Sequence, residues 1–264
     1  MAYAKVTTDR RAILDVLVYH DFDVGVRVPR LISATTDGER ITVVMPRFRP
    51  LPTQPPWLRI ATDLARLHRS RPFACLTRRP WPAPATIAAG VTAWATIDPA
   101  APARQAAAIL SALGGESSAD ARHIVNGVAG GILGGDRAGI GRDDGIVCGD
   151  NAVVVHGDCH LGNLLQDDDG DLVWIDWLDM RLGTGAEDFA LLWQRAEFDG
   201  LQPPRDHMVE AYLGSIDRPG LARALLTEEL RLLLVDWPAF LRVAPSRSGP
   251  LADRLRQLVE QANL

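Results

Sequence analysis

Three observations predict an α+β protein in two parts, a small β-rich lobe followed by a mostly helical one. Two β-rich runs flank an Asp37-Gly38 turn within the first fifty residues, a hairpin signal. A proline tract from Arg49 to Pro56 can continue neither strand nor helix, so it reads as a linker. Beyond it the apolar residues recur at helical spacing. The expected division is therefore residues 1–48 and 49–264.

In the first part "AYAKV" alternates as a short strand would, and "DRRAILDVLVYH" reads as a helix capped near Thr8 or Asp9. "RLISATT" and "RITVVMPRF" form the hairpin. In the second part "WLRIATDLARLHRS" places Trp57, Ile60, Ala61, Leu64 and Leu67 on one stripe. "TIAAGVTAWATI" and "ARQAAAILSAL" are helices, the latter stopped by Gly114-Gly115, and another starts at Ser117 or Ser118. Towards the end come "DHMVEAYLGSI", "LARALLTEELRLLLVDWPAFLR" interrupted near Pro238, and "LADRLRQLVEQA".

Composition narrows the function classes. The chain has 264 residues, 47% of them hydrophobic, and no apolar run long enough for a membrane span. Its start lacks the apolar region of a secretory signal. Three cysteines (Cys75, Cys148, Cys159) have no paired spacing, which argues against a disulfide framework and for a reducing cytoplasm. A net charge of −5 argues against a nucleic-acid partner and admits a cationic ligand. Of the 28 basic residues only Lys5 is lysine, so a generic surface cation here is an arginine. The glycine-rich tract 127–145 is no Walker loop, because that loop needs its own lysine.

The chemistry concentrates in "VVVHGDCHLGNLL", Val153 to Leu165. "AVVVH" precedes it as a strand, and "NLLQ" pairs with "LVWI" across the acidic turn Asp167–Asp171. That hairpin brings Asp158 and Asn163 near Asp176, an oxygen set suited to Mg²⁺. A zinc site of His156, Asp158 and His160 is the alternative, but it leaves Asn163 and Asp176 unexplained.

His156-Gly157-Asp158-x-His160-x-x-Asn163, followed by Ile175-Asp176-Trp177, resembles the aminoglycoside phosphotransferase family of the protein-kinase-like superfamily. Asp158 to Asn163 spans five residues and Asn163 to Asp176 thirteen, the kinase spacing. "GTGAEDFALLW" matches a further family segment, with Asp188 at its acidic position.

The resemblance implies a two-lobe kinase-like fold with a reduced N-terminal lobe, because only four residues precede Lys5 and leave no room for a first hairpin. It implies Asp158 as catalytic base and Mg²⁺ held by Asn163 and Asp176. His156, His160 and Asp188 would support the loop, and Cys159 would be a buried small side chain. Lys5 would contact the nucleotide phosphates, with Asp15 in place of the usual glutamate partner. Adenine would lie against the segment Val43–Phe48, through Met45, Arg47 and Phe48, since Pro46 has no N–H.

The activity implied is Mg²⁺-dependent transfer of the ATP or GTP γ-phosphate to a hydroxyl of a small molecule, such as an aminoglycoside, another antibiotic, a sugar or an amino alcohol. Asp179, Glu187 and the Asp167–Asp171 turn either attract a cationic acceptor or form a solvated face. A second class is a nucleotide-binding regulatory protein with weak or no transferase activity, suggested by the absent hairpin.

Overall fold

A computed structural model describes residues 2–73, 76–121 and 152–263, apart from the side chains of 115–121. Cys75, Cys148, the glycine tract 127–145 and most of the helix expected from Ser117 or Ser118 lie outside the described residues.

Strands β1 (Ala2–Thr7), β2 (Ser33–Asp37) and β3 (Arg40–Pro46) form an antiparallel sheet in the order β1-β3-β2. The Asp37–Arg40 pair closes the expected hairpin, with Gly38 at φ +59° in the turn. Lys5 pairs in register with Val43, and Tyr3 with Met45. Asp9 accepts from the Arg11 amide at 2.9 Å and caps a short 3₁₀ turn that leads into α1 (Ile13–His20).

The linker expectation needs correction at its start. Arg49–Pro50 forms a short edge strand, β4, and pairs with β6 (Leu164–Gln166), which pairs in turn with β7 (Leu172–Trp174). A proline is tolerated there because an edge strand has a side without ladder bonds. β6 and β7 are the hairpin expected across the acidic turn, in the register Leu164–Trp174 and Gln166–Leu172. β5 (Val153–Val155) pairs with β8 (Arg181–Gly183), a contact the sequence did not signal.

Helices α2 (Trp57–Leu67), α3 (Pro84–Ile97), α4 (Ala103–Ala121), α5 (Ala186–Phe198), α6 (Arg205–Leu213), α7 (Leu221–Arg231), α8 (Trp237–Leu241) and α9 (Gly249–Ala262) complete the described fold. The α2 stripe faces inward as expected, with Ile60, Ala61, Leu64 and Leu67 fully buried. α4 does not stop at Gly114-Gly115. Gly114 lies under Trp81, whose ring would meet an added Cβ at 2.3 Å, so this glycine serves close approach rather than termination. The interruption near Pro238 takes the form of a π-helical turn, Leu232–Asp236. There the Trp94 indole donates to the Leu233 carbonyl at 2.7 Å, and Gly90 allows α3 to approach the Leu234 carbonyl.

One buried cluster joins Val18, Val43 and Met45 of the first fifty residues to Leu64, Trp174 and Trp177. A second, around Trp94, Leu233, Trp237 and Leu255, holds the later helices together. Among the described residues no helix is long and apolar enough to cross a membrane.

Candidate active site

β5 ends at Val155, and after His156 the chain turns at Gly157, whose φ is +84°. A Cβ there would approach the Asp179 carbonyl oxygen at 2.0 Å, so this position excludes a side chain. The turn is held by Asp188 in the first turn of α5. Its carboxylate accepts the His156 amide at 2.8 Å, the Gly157 amide at 2.9 Å and His68 Nε2 at 3.1 Å. Burial works to raise the Asp188 carboxyl, but His68 and the Gly157 amide outweigh it and hold the group below the ordinary carboxylate range. His68 is in turn bonded to the Tyr212 hydroxyl at 2.9 Å.

His156 is fully buried, and burial holds its ring in the neutral form. Nε2 donates to the Ile175 carbonyl at 2.9 Å, while Nδ1 accepts the Asp158 amide at 3.3 Å. Both nitrogens are thus committed, which argues against the zinc alternative. His160 Nδ1 accepts the Gly162 amide, and its Nε2 lies 3.6 Å from Asp158 Oδ2. That His160 contact, against the opposing effect of burial and with help from Asn163, lowers the Asp158 pKa. Cys159 is buried, and burial pushes its thiol well above the ordinary range, so no thiolate nucleophile forms there.

Asn163 donates its side-chain amide to the Asp158 carbonyl at 2.9 Å and to Asp158 Oδ2 at 3.1 Å. Its backbone carbonyl accepts the Ile175 amide at 3.0 Å, which ties this loop to the segment after β7 that carries Asp176. Asp176 is the one described non-glycine residue at positive φ, +65°. The Asp176 amide donates to the Tyr19 hydroxyl at 3.2 Å.

Lys5 lies 171 residues away in sequence, yet its Nζ sits 2.8 Å from Asp176 Oδ1 and 2.8 Å from Asp15 Oδ2. Asp15 is fully buried and also accepts the Trp177 amide at 2.7 Å. Burial works to lower the Lys5 pKa, but the two carboxylates outweigh it and keep the ammonium charged. Asp15, Lys5 and Asp176 therefore form one chain of contacts from α1 through β1 to the residue just past β7.

The donors suit a hard cation. Asn163 turns its NH₂ toward Asp158, which leaves its carbonyl oxygen, and the Asp176 side chain is 39% exposed.

Met45 is buried in β3, and Arg47 and Phe48 follow just beyond its end. Met45 shares a sheet with Lys5. The acidic residues expected to meet a cationic acceptor are otherwise engaged. Asp179 pairs with Arg11 at 2.5 Å. Glu187 folds back onto Thr184 as a helix cap, accepting its amide at 2.9 Å and its hydroxyl at 2.8 Å. Asp171 is bound by Arg27 and Arg59, and Asp167 by Arg27.

A cavity of about 870 Å³ opens beside Asp158 and His160 and extends to Trp237 and Phe240. Sequence reading missed Tyr19, His68 and the arginines of this cavity. Thr184-x-x-Glu187 was a readable capping signal, whereas nothing in an arginine-rich chain marks six arginines as neighbours.

The family model of the phosphotransferase enzyme family matches residues 3–225, and the chain belongs to that family. No curated protein matches it by sequence. Solved structures with the same fold include aminoglycoside phosphotransferase APH(3'')-Id from Streptomyces rimosus ATCC10970, in complex with ADP and streptomycin. It is 18% identical, with 87% of this chain and 86% of that one covered and a TM-score of 0.51. A thermostable mutant of aminoglycoside phosphotransferase APH(4)-Ia is 14% identical over 98% and 87% of the two chains, with a TM-score of 0.58. A choline/ethanolamine kinase family protein from Mesorhizobium loti is 15% identical over 97% and 79%, with a TM-score of 0.56. The fold is thus the protein-kinase-like α+β fold expected from the sequence.

Proposed function

We propose that this protein transfers the γ-phosphate of ATP or GTP to a hydroxyl of a small molecule. The observation that carries the reading is the junction of Lys5 with Asp15 and Asp176, beside Asp158 and Asn163. Remote residues of the types phosphoryl transfer needs meet at hydrogen-bond distance. The bound nucleotides of two fold relatives, ADP and AMP-PNP, support the co-substrate.

In this reading Asp158 orients the acceptor hydroxyl. As the hydroxyl oxygen bonds to the γ-phosphorus, the bond from phosphorus to the diphosphate oxygen breaks and the hydroxyl proton passes to the Asp158 carboxylate. Its lowered pKa makes Asp158 a weak base, suited to accepting the proton late. Asn163 and Asp176 would hold Mg²⁺, which when bound would neutralise charge on the phosphate oxygens. Lys5 exchanges Asp176 for a phosphate oxygen while Asp15 keeps its ammonium in place. Met45, Arg47 and Phe48 receive the base, residues 1–48 form the nucleotide lobe, and 49–264 carry the acceptor side. The cytoplasm, where nucleoside triphosphate is abundant, is the compartment that fits.

The test is phosphate transfer from Mg²⁺-ATP and Mg²⁺-GTP to a panel of hydroxyl compounds, with Asp158→Asn as control. The variant is expected to lose about 10²- to 10⁴-fold in kcat while still binding nucleotide. Absence of nucleotide binding in the parent protein would sink the reading.

A further inference from the structure

The cavity beside Asp158 is lined by six arginines: Arg11, Arg78, Arg79, Arg181, Arg195 and Arg231. Four carboxylates face them, those of Asp158, Asp179, Glu187 and Asp236. Three of the four are already satisfied by the protein. Asp179 pairs with Arg11, and Glu187 caps Thr184. Asp236 lies between Arg79 at 2.8 Å and Arg231 at 3.0 Å. Arg231 is further bound by Glu228 at 2.6 Å. Asp158 accepts from Asn163 at 3.1 Å, and its place is at the reacting hydroxyl.

The cations are not all matched. Among the described residues neither Arg78 nor Arg195 has a carboxylate partner. Arg195 is half-buried on α5, with its guanidinium 5.9 Å from the ring centroids of both Trp237 and Phe240. Its Nε is buried without a hydrogen-bond acceptor, and so is Nε of Arg181. A guanidinium without a carboxylate partner keeps terminal N–H donors that an oxyanion in the cavity can accept. Arg78 stands on a segment fixed against β8, where the Leu182 amide donates to the Thr77 carbonyl at 3.0 Å. Asp9 pairs with Arg11 and Glu228 with Arg231 from outside the cavity wall, so the unmatched positive charge includes that of Arg78 and Arg195.

We infer that the acceptor of this phosphotransferase is an anion, a hydroxyl compound bearing a carboxylate or phosphate group that docks on Arg195 and Arg78. Guanidinium forks match either oxyanion in a bidentate manner. Trp237 and Phe240 supply an apolar wall for the body of the molecule. The inference rests on the phosphotransferase reading for the word acceptor, but the anion preference is a binding property and can be measured without turnover.

The experiment uses the full chain with Mg²⁺ and ADP and four compounds of one skeleton: glucosamine, glucose, glucuronate and glucose 6-phosphate. Calorimetry and melting temperature give the affinities. At least one anion is expected to bind about tenfold or more tightly than glucose, with glucosamine weakest. Whether glucuronate or glucose 6-phosphate leads separates carboxylate from phosphate. Arg195→Gln should remove most of that advantage and leave the glucose affinity in place. If that variant fails to fold, Arg78→Gln on the exposed segment carries the same comparison. Glucosamine binding as tightly as the anions, no binding of either anion, or a folded arginine variant with the preference intact would each overturn the inference. Failure of the phosphotransferase reading looks different, with no ADP-dependent stabilisation and no Asp158-dependent transfer.

Discussion

Asp176 combines a left-handed backbone with a half-exposed carboxylate held by Lys5. Aspartate tolerates that conformation better than most residues, but it still costs on the order of 1 kcal/mol. Asp176→Gly should therefore leave the melting temperature near that of the parent or raise it, while transfer falls to background. A variant that loses stability and keeps transfer would refute the assignment of Asp176 to the phosphate site. Lys5 supplies a complementary test. Its ammonium reaches two carboxylates at 2.8 Å each, a compact geometry that a planar guanidinium cannot copy. Lys5→Arg is expected to lower kcat/KM by about 10²-fold despite keeping the charge, as one displaced charge in a preorganised site does. Steady-state kinetics would check this.

At the scale of elements, the β5–α5 pair builds the loop that carries Asp158. Asp188 sits in the first turn of α5 and satisfies two loop amides and His68 at once. Asp188→Asn removes a buried charge and cannot accept all three bonds, so about 3–5 kcal/mol of stability should be lost, measurable by urea unfolding. The sign of the pH dependence follows from its lowered pKa. The folded state holds the carboxylate ionised more readily than the unfolded state does. Its contribution is present above the ordinary carboxylate range and is lost as pH falls through the lowered value. The parent should lose stability across that acid range more steeply than Asp188→Asn. Identical acid profiles would show that Asp188 is not a stabilising charge. Gly157→Ala tests the same turn from the backbone side. With φ at +84° and the Asp179 carbonyl in the way, an added methyl should displace the loop and reduce activity together with stability.

For the whole molecule, the division near residue 48 does not divide the core. Val18, Val43 and Met45 share a buried cluster with Leu64, Trp174 and Trp177. Residues 49–264 expressed alone would leave that apolar surface open to water. The fragment should bind a hydrophobic dye and lack a cooperative melting transition, whereas the full chain melts sharply. Sharp melting of the fragment would show an independent helical domain. The helical side has its own cluster, and there Trp94→Ala should cost about 3–5 kcal/mol by emptying a fully buried site.

The hairpin around Asp37-Gly38, the α2 stripe and the strand pairing across the Asp167–Asp171 turn were legible in the residues alone. These follow from local periodicity and turn chemistry, which act between near neighbours. The sequence also named Asp158, Asn163 and Asp176 as a set, because their spacing is carried within one hairpin. That Lys5 joins Asp15 to Asp176 emerges only in the folded chain, since its contact with Asp176 closes over 171 residues. The fold likewise shows that Gly114 is a packing site. The arginine lining belongs with these. Arg78 and Arg195 come from distant segments, and charge alone has no period by which a chain announces which of its arginines will face the same cavity.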